Sequence, residues 1–276
     1  MNITINSSDL PNSASLLTKA MLKSNKQNKM ENIQLVVKGF RFNQSQLENY
    51  CHFLGFNSDT VPVPFLFVAT QPAQLFLLNQ EAAKLTLRGI VHRYISFESF
   101  AAIKPTEEYS FSLTVTDQIN IDKGFEFELT GELTSQQGLR VARYQSRYLI
   151  RTRQSTAPKR PQKNTQFASP TNLRHVIKTV ITPRMSRRYA NISGDYNPIH
   201  LCSLLSRLFG YKKPIAHGMY MVGQLMASLN SPVKKAAFEF NRPALLPTEL
   251  LLVKDSNVLM ITDDNGKPVV SGHLEN

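Results

Sequence analysis

The sequence predicts an α+β protein built from two similar halves, each combining helical material with an antiparallel sheet. Three observations lead there. Several segments alternate apolar and polar residues with period two, a few stretches carry helical apolar patterns, and motifs recur at an offset of about 140 residues.

Residues 1 to about 30 are polar, with one amphipathic stretch around Leu16, Leu17 and Met21 that reads as a short docking helix. Gln44 to Leu54 reads as a second helix, ended by Gly55. Phe111, Leu113 and Val115 then alternate with polar residues, as do Phe125, Phe127 and Leu129, and Val141 to Ile150 adds a further strand. Thr152 to about Thr171 is Ser, Thr, Pro, Gln, Lys and Asn with almost no apolar residue, a linker or long loop. Leu173 to Ile181 reads as a strand and Met185 to Ala190 as the start of a helix. Gly218 to Leu229 is nearly apolar all round and long enough to favour a buried helix. Strands return at Leu250–Lys254, Val258–Thr262 and Val269–His273, and Asp264-Asn265-Gly266 is expected to form a hairpin turn with positive φ angles.

The repeat rests on two pairs of motifs. Tyr189 and Gly194 in YANISG stand 139 residues after Tyr50 and Gly55 in YCHFLG, and Pro247-Thr248-Glu249 stands 142 after Pro105-Thr106-Glu107. Laid over the first half, Asp195 falls on Phe56 and His200 on Val61. Apolar residues at both places cannot repeat proton chemistry. One working site is therefore expected, in the second half, with the first half as support or pocket wall.

Bulk properties narrow the classes. The 276 residues suit two domains, and no apolar run approaches the roughly 18 residues that cross a bilayer. The N-terminus does not read as a signal peptide. Cys51 and Cys202 form no CxxC pair, which argues against a disulfide framework or a zinc site and makes a reducing cytoplasm the expected compartment. The net charge of +12 favours acidic partners: nucleic acid, anionic membrane, an acidic carrier protein or coenzyme A. No nucleic-acid recognition motif accompanies it, so nucleic acid is not expected as a partner. Much of the excess, Arg151, Arg153 and Pro158-Lys-Arg-Pro-Gln-Lys163, also reads simply as a solvated basic linker.

Chemistry concentrates in Tyr189-Ala-Asn-Ile-Ser-Gly-Asp-Tyr-Asn-Pro-Ile-His200. Gly194 permits a tight turn before Asp195, and Asn197-Pro198 is turn-forming, so the carboxylate and the imidazole can face one small volume. Together around one water they make an acid–base pair; alternatively, Asp195 caps a turn and His200 packs at a helix start. Gly218 opens the apolar helix, where free N–H groups and the helix dipole suit a developing oxyanion, or merely permits close packing. His217 reads as a turn histidine bonded to nearby backbone.

Tyr189-x-x-Ile192-Ser193-Gly194-Asp195-x-Asn197-Pro198-Ile199-His200, followed by Ser206, resembles the signature of R-specific enoyl-CoA hydratases and MaoC-like dehydratases. Pro214-Ile215-Ala216-His217-Gly218-Met219 resembles that family's next block, and Phe240-Asn-Arg242-Pro243 with Leu246-Pro247 its third. Arg88-Gly89-Ile90-Val91-His92 is similar, more weakly, to the non-catalytic half of double-hotdog members. The resemblance implies a double hotdog, two antiparallel sheets each wrapping a central helix. Its expected organisation is an N-terminal segment 1–40, a degenerate N-terminal hotdog 41–151, a basic linker 152–171 and a catalytic C-terminal hotdog 172–276. It also implies reversible hydration of trans-2-enoyl thioesters, or dehydration of (R)-3-hydroxyacyl thioesters. Asp195 and His200 would handle the water, and the Gly218 N–H would polarise the thioester carbonyl. Asn197 would shape the turn at the substrate more than touch it, and Arg242 is a candidate for the phosphates of the thioester carrier, or else a surface residue. Tyr211-Lys212-Lys213 departs from the family in being more basic than expected before Pro214; it either assists phosphate binding or belongs only to the basic surface. Neither a metal nor a separate cofactor is implied: coenzyme A or phosphopantetheine comes with the substrate, an acyl-CoA or acyl-carrier-protein thioester. The chain is compatible with a monomer or a homodimer. An acyl-carrier-protein-specific dehydratase and a non-catalytic acyl-thioester binder are the alternatives.

Overall fold

The first half begins with β1 (Asn2–Asn6), α1 (Ser13–Leu22), β2 (Lys29–Met30) and β3 (Gln34–Phe40). Three helices follow, α2 (Gln44–Leu54), α3 (Val63–Ala69) and α4 (Gln71–Leu78), then β4 (Ala83–Lys84), β5 (Ile90–Ser99), β6 (Tyr109–Ile121), β7 (Gly124–Ser135) and β8 (Arg140–Arg151). The second half comprises β9 (His175–Ile181), α5 (Pro183–Ser193), α6 (Ser203–Arg207), α7 (Gly218–Ala227), β10 (Lys235–Phe240), β11 (Thr248–Asp255), β12 (Val258–Thr262) and β13 (Pro268–Glu275). This computed structural model describes residues 1–23, 28–57, 59–87, 90–151, 175–229 and 233–275. The expected linker at 152–171, and Arg88-Gly89, lie outside them.

Two separate sheets are expected from the sequence; the structure has one sheet of eleven strands, in the order β1-β3-β6-β7-β8-β5-β10-β13-β12-β11-β9. The halves fuse because β5 and β10 each offer a free edge and pair antiparallel, Phe238 opposite Ile95 and Lys235 opposite Glu98. Unpaired strand edges are costly to leave open, and this pairing removes two of them. The sheet is antiparallel except at its rim, where β1 runs parallel to β3. A short pair, β2–β4, stands apart.

Read outward from the junction, both halves run in the same order: β5, β8, β7, β6, β3 on one side and β10, β13, β12, β11, β9 on the other. Helices α2 and α5 sit 139 residues apart, and each ends on a glycine in the left-handed region, Gly55 at φ 86° and Gly194 at φ 76°. Only glycine takes that C-cap without steric cost. The Pro-Thr-Glu pair, by contrast, is out of register. Thr248 opens β11, whereas the matching strand β6 opens at Tyr109, three residues beyond Thr106.

Gly218–Ala227 forms a buried helix, two residues shorter than its apolar run, packed on β12 and β13. In the first half the central helix is broken into α3 and α4 at Thr70, with Pro72 in the first turn of α4. All five residues Pro64–Val68 are buried. A short run apolar on every side carries no period, which is why it did not read as a helix. Asp264-Asn265-Gly266 joins β12 to the antiparallel β13 as the expected hairpin, but its backbone departs from the expected turn. Gly266 alone of the three takes positive φ, 72°, within a longer loop closed by Asp263 N–H to the Lys267 carbonyl at 3.0 Å and Gly266 N–H to the Asp263 carbonyl at 3.0 Å. No described helix is long and apolar enough to cross a membrane.

Candidate active site

The site forms where the end of α5 meets the start of α7. Thr182 caps α5, its hydroxyl accepting from Met185 N–H at 3.2 Å, and Gly194 turns the chain out of the helix. Asp195 follows; its Oδ1 accepts from Asn197 N–H at 3.2 Å, and its own N–H donates to Ser193 Oγ at 3.2 Å. Asn197 then caps a single 3-10 turn, Pro198–His200, with its side-chain oxygen toward Ile199 N–H at 3.4 Å. This turn brings His200 back to Asp195. Ligating atoms of Asp195, His200 and His217 all lie within 4.8 Å of one another.

Hydrogen bonds fix the two imidazoles in different roles. The Ile215 carbonyl can only accept, so its 2.8 Å contact with His200 Nδ1 places the proton there and leaves the Nε2 lone pair free. Burial lowers the His200 pKa below its usual value, against the opposing pull of the Asp195 carboxylate and the Ile215 hydrogen bond. His200 thus waits as a neutral base. His217 is saturated: Nε2–H donates to the Asp195 carbonyl at 3.1 Å, and Nδ1 accepts from Ser186 Oγ at 3.1 Å. Burial and the neighbouring His200 push its pKa down to about 3. The two rings stack with centroids 3.8 Å apart, so His217 is the floor on which His200 rests. This agrees with the turn histidine expected for His217. Of this trio only Asp195 and His200 Nε2 remain to meet a ligand, one fewer than the three protein ligands of catalytic zinc sites.

Gly218 is the first residue of α7, and among the described residues its N–H forms no hydrogen bond, as is usual in a first helical turn. A Cβ there would lie 2.5 Å from Phe240 Cε1, so only glycine lets the ring close over this end of the helix.

Asp195, Asn197, His200, Tyr211, Gly218 and Arg242 all line one cavity of about 220 Å³. Lys212 is exposed and does not line it. Arg242 reaches the cavity margin, but its Nη2 donates to Asp263 Oδ2 at 3.1 Å and its Nε to the Pro268 carbonyl at 3.0 Å. Asn197 commits its side-chain oxygen and its backbone N–H to the turn.

The structure adds residues that sequence reasoning missed, most of them from the first half. With its amide nitrogen toward the turn, Gln71 donates to the Ser193 carbonyl at 2.8 Å and the Gly194 carbonyl at 3.2 Å. Gln46 Nε2 donates to the Ile192 carbonyl at 2.8 Å. Two glutamines of one half therefore hold the turn that presents Asp195 in the other. His92 lines the cavity, sandwiched by Phe67, Tyr148 and Phe240 and bonded through Nε2 to Ser146 Oγ at 2.7 Å. Exposed Arg93 and Arg151 stand at the rim. A glutamine carries no motif of its own, so these contacts had no sequence signal. Phe56 and Val61, opposite Asp195 and His200 in the repeat, are packing residues: Phe56 stacks on Tyr50 at 5.9 Å and Val61 is buried.

Residues 163–244 match the MaoC like domain family. The chain is 28% identical over 194 residues to 3-hydroxyacyl-thioester dehydratase X of Mycobacterium tuberculosis, covering 68% of this chain and 67% of that protein. The crystal structure of HtdX of M. tuberculosis superposes with a TM-score of 0.74 at 20% identity, covering 87% of this chain and 98% of that one. A MaoC-like dehydratase from Phytophthora capsici gives 0.70 at 15% identity over 94% and 97%. The fold is thus that of the MaoC-like dehydratase structures, a hotdog fold.

Proposed function

We propose that the chain, whose residues 163–244 match the MaoC like domain family, is a hydro-lyase acting on 3-hydroxyacyl thioesters, reversibly forming trans-2-enoyl thioesters from the (R)-3-hydroxy isomers. The observation that carries this reading is the convergence of Asp195, the free Nε2 of His200 and the Gly218 N–H on one cavity. Dehydration needs a base at C2, a proton for the departing hydroxyl, and a donor at the carbonyl. His200 Nε2 takes the C2 proton, and the charge that develops on the thioester oxygen is held by the Gly218 N–H at the positive end of α7. The electron pair forms the C2–C3 double bond. The C3 hydroxyl leaves as water with the proton that His200 carries, while Asp195 steadies the imidazolium and accepts from the departing water. Hydration runs the same steps backward.

The mirrored strand order and the paired helices α2 and α5 support a double hotdog, with a non-catalytic first half and a catalytic second half. Because β3 pairs with β6 in the main sheet, the first hotdog begins before residue 41, at about Gln34. Coenzyme A is the proposed carrier, with Arg93 and Arg151 at the rim better placed for its phosphates than Lys212.

The test is the loss of enoyl-thioester absorbance when purified protein meets crotonyl-CoA. Turnover that disappears in folded His200→Gln supports the reaction. Absence of turnover on CoA and acyl-carrier-protein substrates alike refutes it and leaves a thioester-binding protein.

A further inference from the structure

The cavity does not stop at the catalytic groups. It runs along one face of α4, where Gln71, Gln74, Leu75 and Leu78 line it at positions i, i+3, i+4 and i+7. That face is graded. Gln71 lies against the Gly194 turn beside Asp195, whereas Leu75 and Leu78 are apolar. At about 1.5 Å per residue, the distance from Gln71 to Leu78 is about 10 Å. Beyond Leu78 the cavity meets Leu17 and Ala20, three residues apart on α1, with Ala20 only 1% exposed.

Helix α1 is fastened at this far end. Asn79 Nδ2 donates to the Leu16 carbonyl at 2.9 Å. Lys23 Nζ, just past the end of α1, donates to the Leu78 carbonyl at 3.3 Å, the Gln80 carbonyl at 2.9 Å and the Ala83 carbonyl. Its charge sits where α4 presents its unpaired carbonyls, the favourable end of the helix dipole for a cation. Thr18 and Lys19 on the outer side of α1 are exposed, so the helix is a single layer between the cavity and solvent.

We propose that α4 is a ruler for the acyl tail of the substrate and that α1 is its end stop, with Leu17 and Ala20 setting the longest chain admitted and Lys23 holding the stop in place. The proposal rests on the thioester reading of the site. It assigns chain-length selection to the half of the molecule that carries no acid–base pair, and to a segment outside the repeat.

The experiment compares kcat/KM for 2-decenoyl-CoA and crotonyl-CoA in wild type, Ala20→Phe and Leu17→Ala, alongside calorimetric binding of decanoyl-CoA and butyryl-CoA. Filling the far end in Ala20→Phe should lower the decenoyl-to-crotonyl ratio by about tenfold or more, the scale on which an apolar pocket discriminates by a methylene or two. Leu17→Ala should shift the optimum toward longer chains; it carries the test should Ala20→Phe fail to fold. Ratios unchanged in both variants, with wild type binding the two saturated esters equally, overturn the proposal. Wild type that binds decanoyl-CoA more tightly than butyryl-CoA yet turns over no enoyl ester refutes the hydro-lyase reading and leaves the ruler standing. Turnover with no response of the chain-length profile does the reverse.

Discussion

Acid should weaken this protein in a window set by its buried histidines, and His217 gives the cleanest measure. Its ring is 1% exposed, with Nδ1 accepting from Ser186 and Nε2–H donating to the Asp195 carbonyl. A proton added at Nδ1 would force the Ser186 bond to reverse, and would bury a charge beside His200. The pKa is accordingly about 3 in the folded chain, against about 6.5 in an unfolded one. Between those values the unfolded state binds the proton and the folded state does not, so stability is full above pH 6.5 and falls as the pH drops toward 3. At pH 5, about 1.5 pH units into the window at ~1.4 kcal/mol per unit, the loss through His217 alone is about 2 kcal/mol. With a urea slope of about 2 kcal/mol per molar, the unfolding midpoint should fall by about 1 M between pH 7.5 and pH 5. His92, also pushed down to about 3 by burial, and His200 add in the same direction. The assay is urea unfolding followed by circular dichroism at both pH values, in wild type and in His217→Gln. The variant should lose less on acidification, by about 2 kcal/mol. An unchanged acid dependence in folded His217→Gln, or an NMR titration of His217 near pH 6.5, would refute the reasoning.

Other outcomes follow from the site. Asp195→Asn and His200→Gln should each lower kcat/KM for crotonyl-CoA about 10²–10⁴-fold in folded protein; because burial lowers the His200 pKa, the acid limb of the wild-type pH–rate profile should lie below pH 6.5. Gln71→Ala removes two hydrogen bonds to the Ser193–Gly194 turn, so thermal unfolding should register about 1–2 kcal/mol of destabilisation and kcat should fall more than KM rises. In Gly218→Ala the new methyl meets Phe240 at 2.5 Å. Displacing that ring, which packs 4.7 Å from His92, should cost about 1–3 kcal/mol and depress kcat, measured by denaturant unfolding and turnover together. Val61→Ala, at the position opposite His200 in the repeat, should lower stability by about 0.5–3 kcal/mol with the activity of the remaining folded protein unchanged.

What the sequence determined by itself was whatever obeys local rules. Helix α2 reads directly, because a helical pattern between Asn43 and a glycine free to take φ 86° leaves little alternative. Strand β6 alternates cleanly over Tyr109–Val115 because one face is buried there, and the alternating Phe125, Phe127 and Leu129 mark β7 although Glu126 and Thr130 between them are buried as well. The Asp195–His200 pairing was legible for the same reason: a glycine exit, an Asx turn and a proline bend the chain through five residues, and the glutamines of the other half then hold that bend in place. Tertiary structure decided the rest. Strand β5 lies at the centre of the sheet, yet a register shift between His92 and Tyr94 breaks its period-two pattern, and the central place of β10 follows only from its pairing with β5. The buried run Pro64–Val68 has no polar face to reveal its period. Gln46, Gln71 and Lys23 act on backbone carbonyls more than 50 residues away. Such a carbonyl has no sequence identity, so no pattern along the chain could announce the partner. The juxtaposition of Asp195 and His200 is written locally; the cavity that both line exists only once the two halves meet.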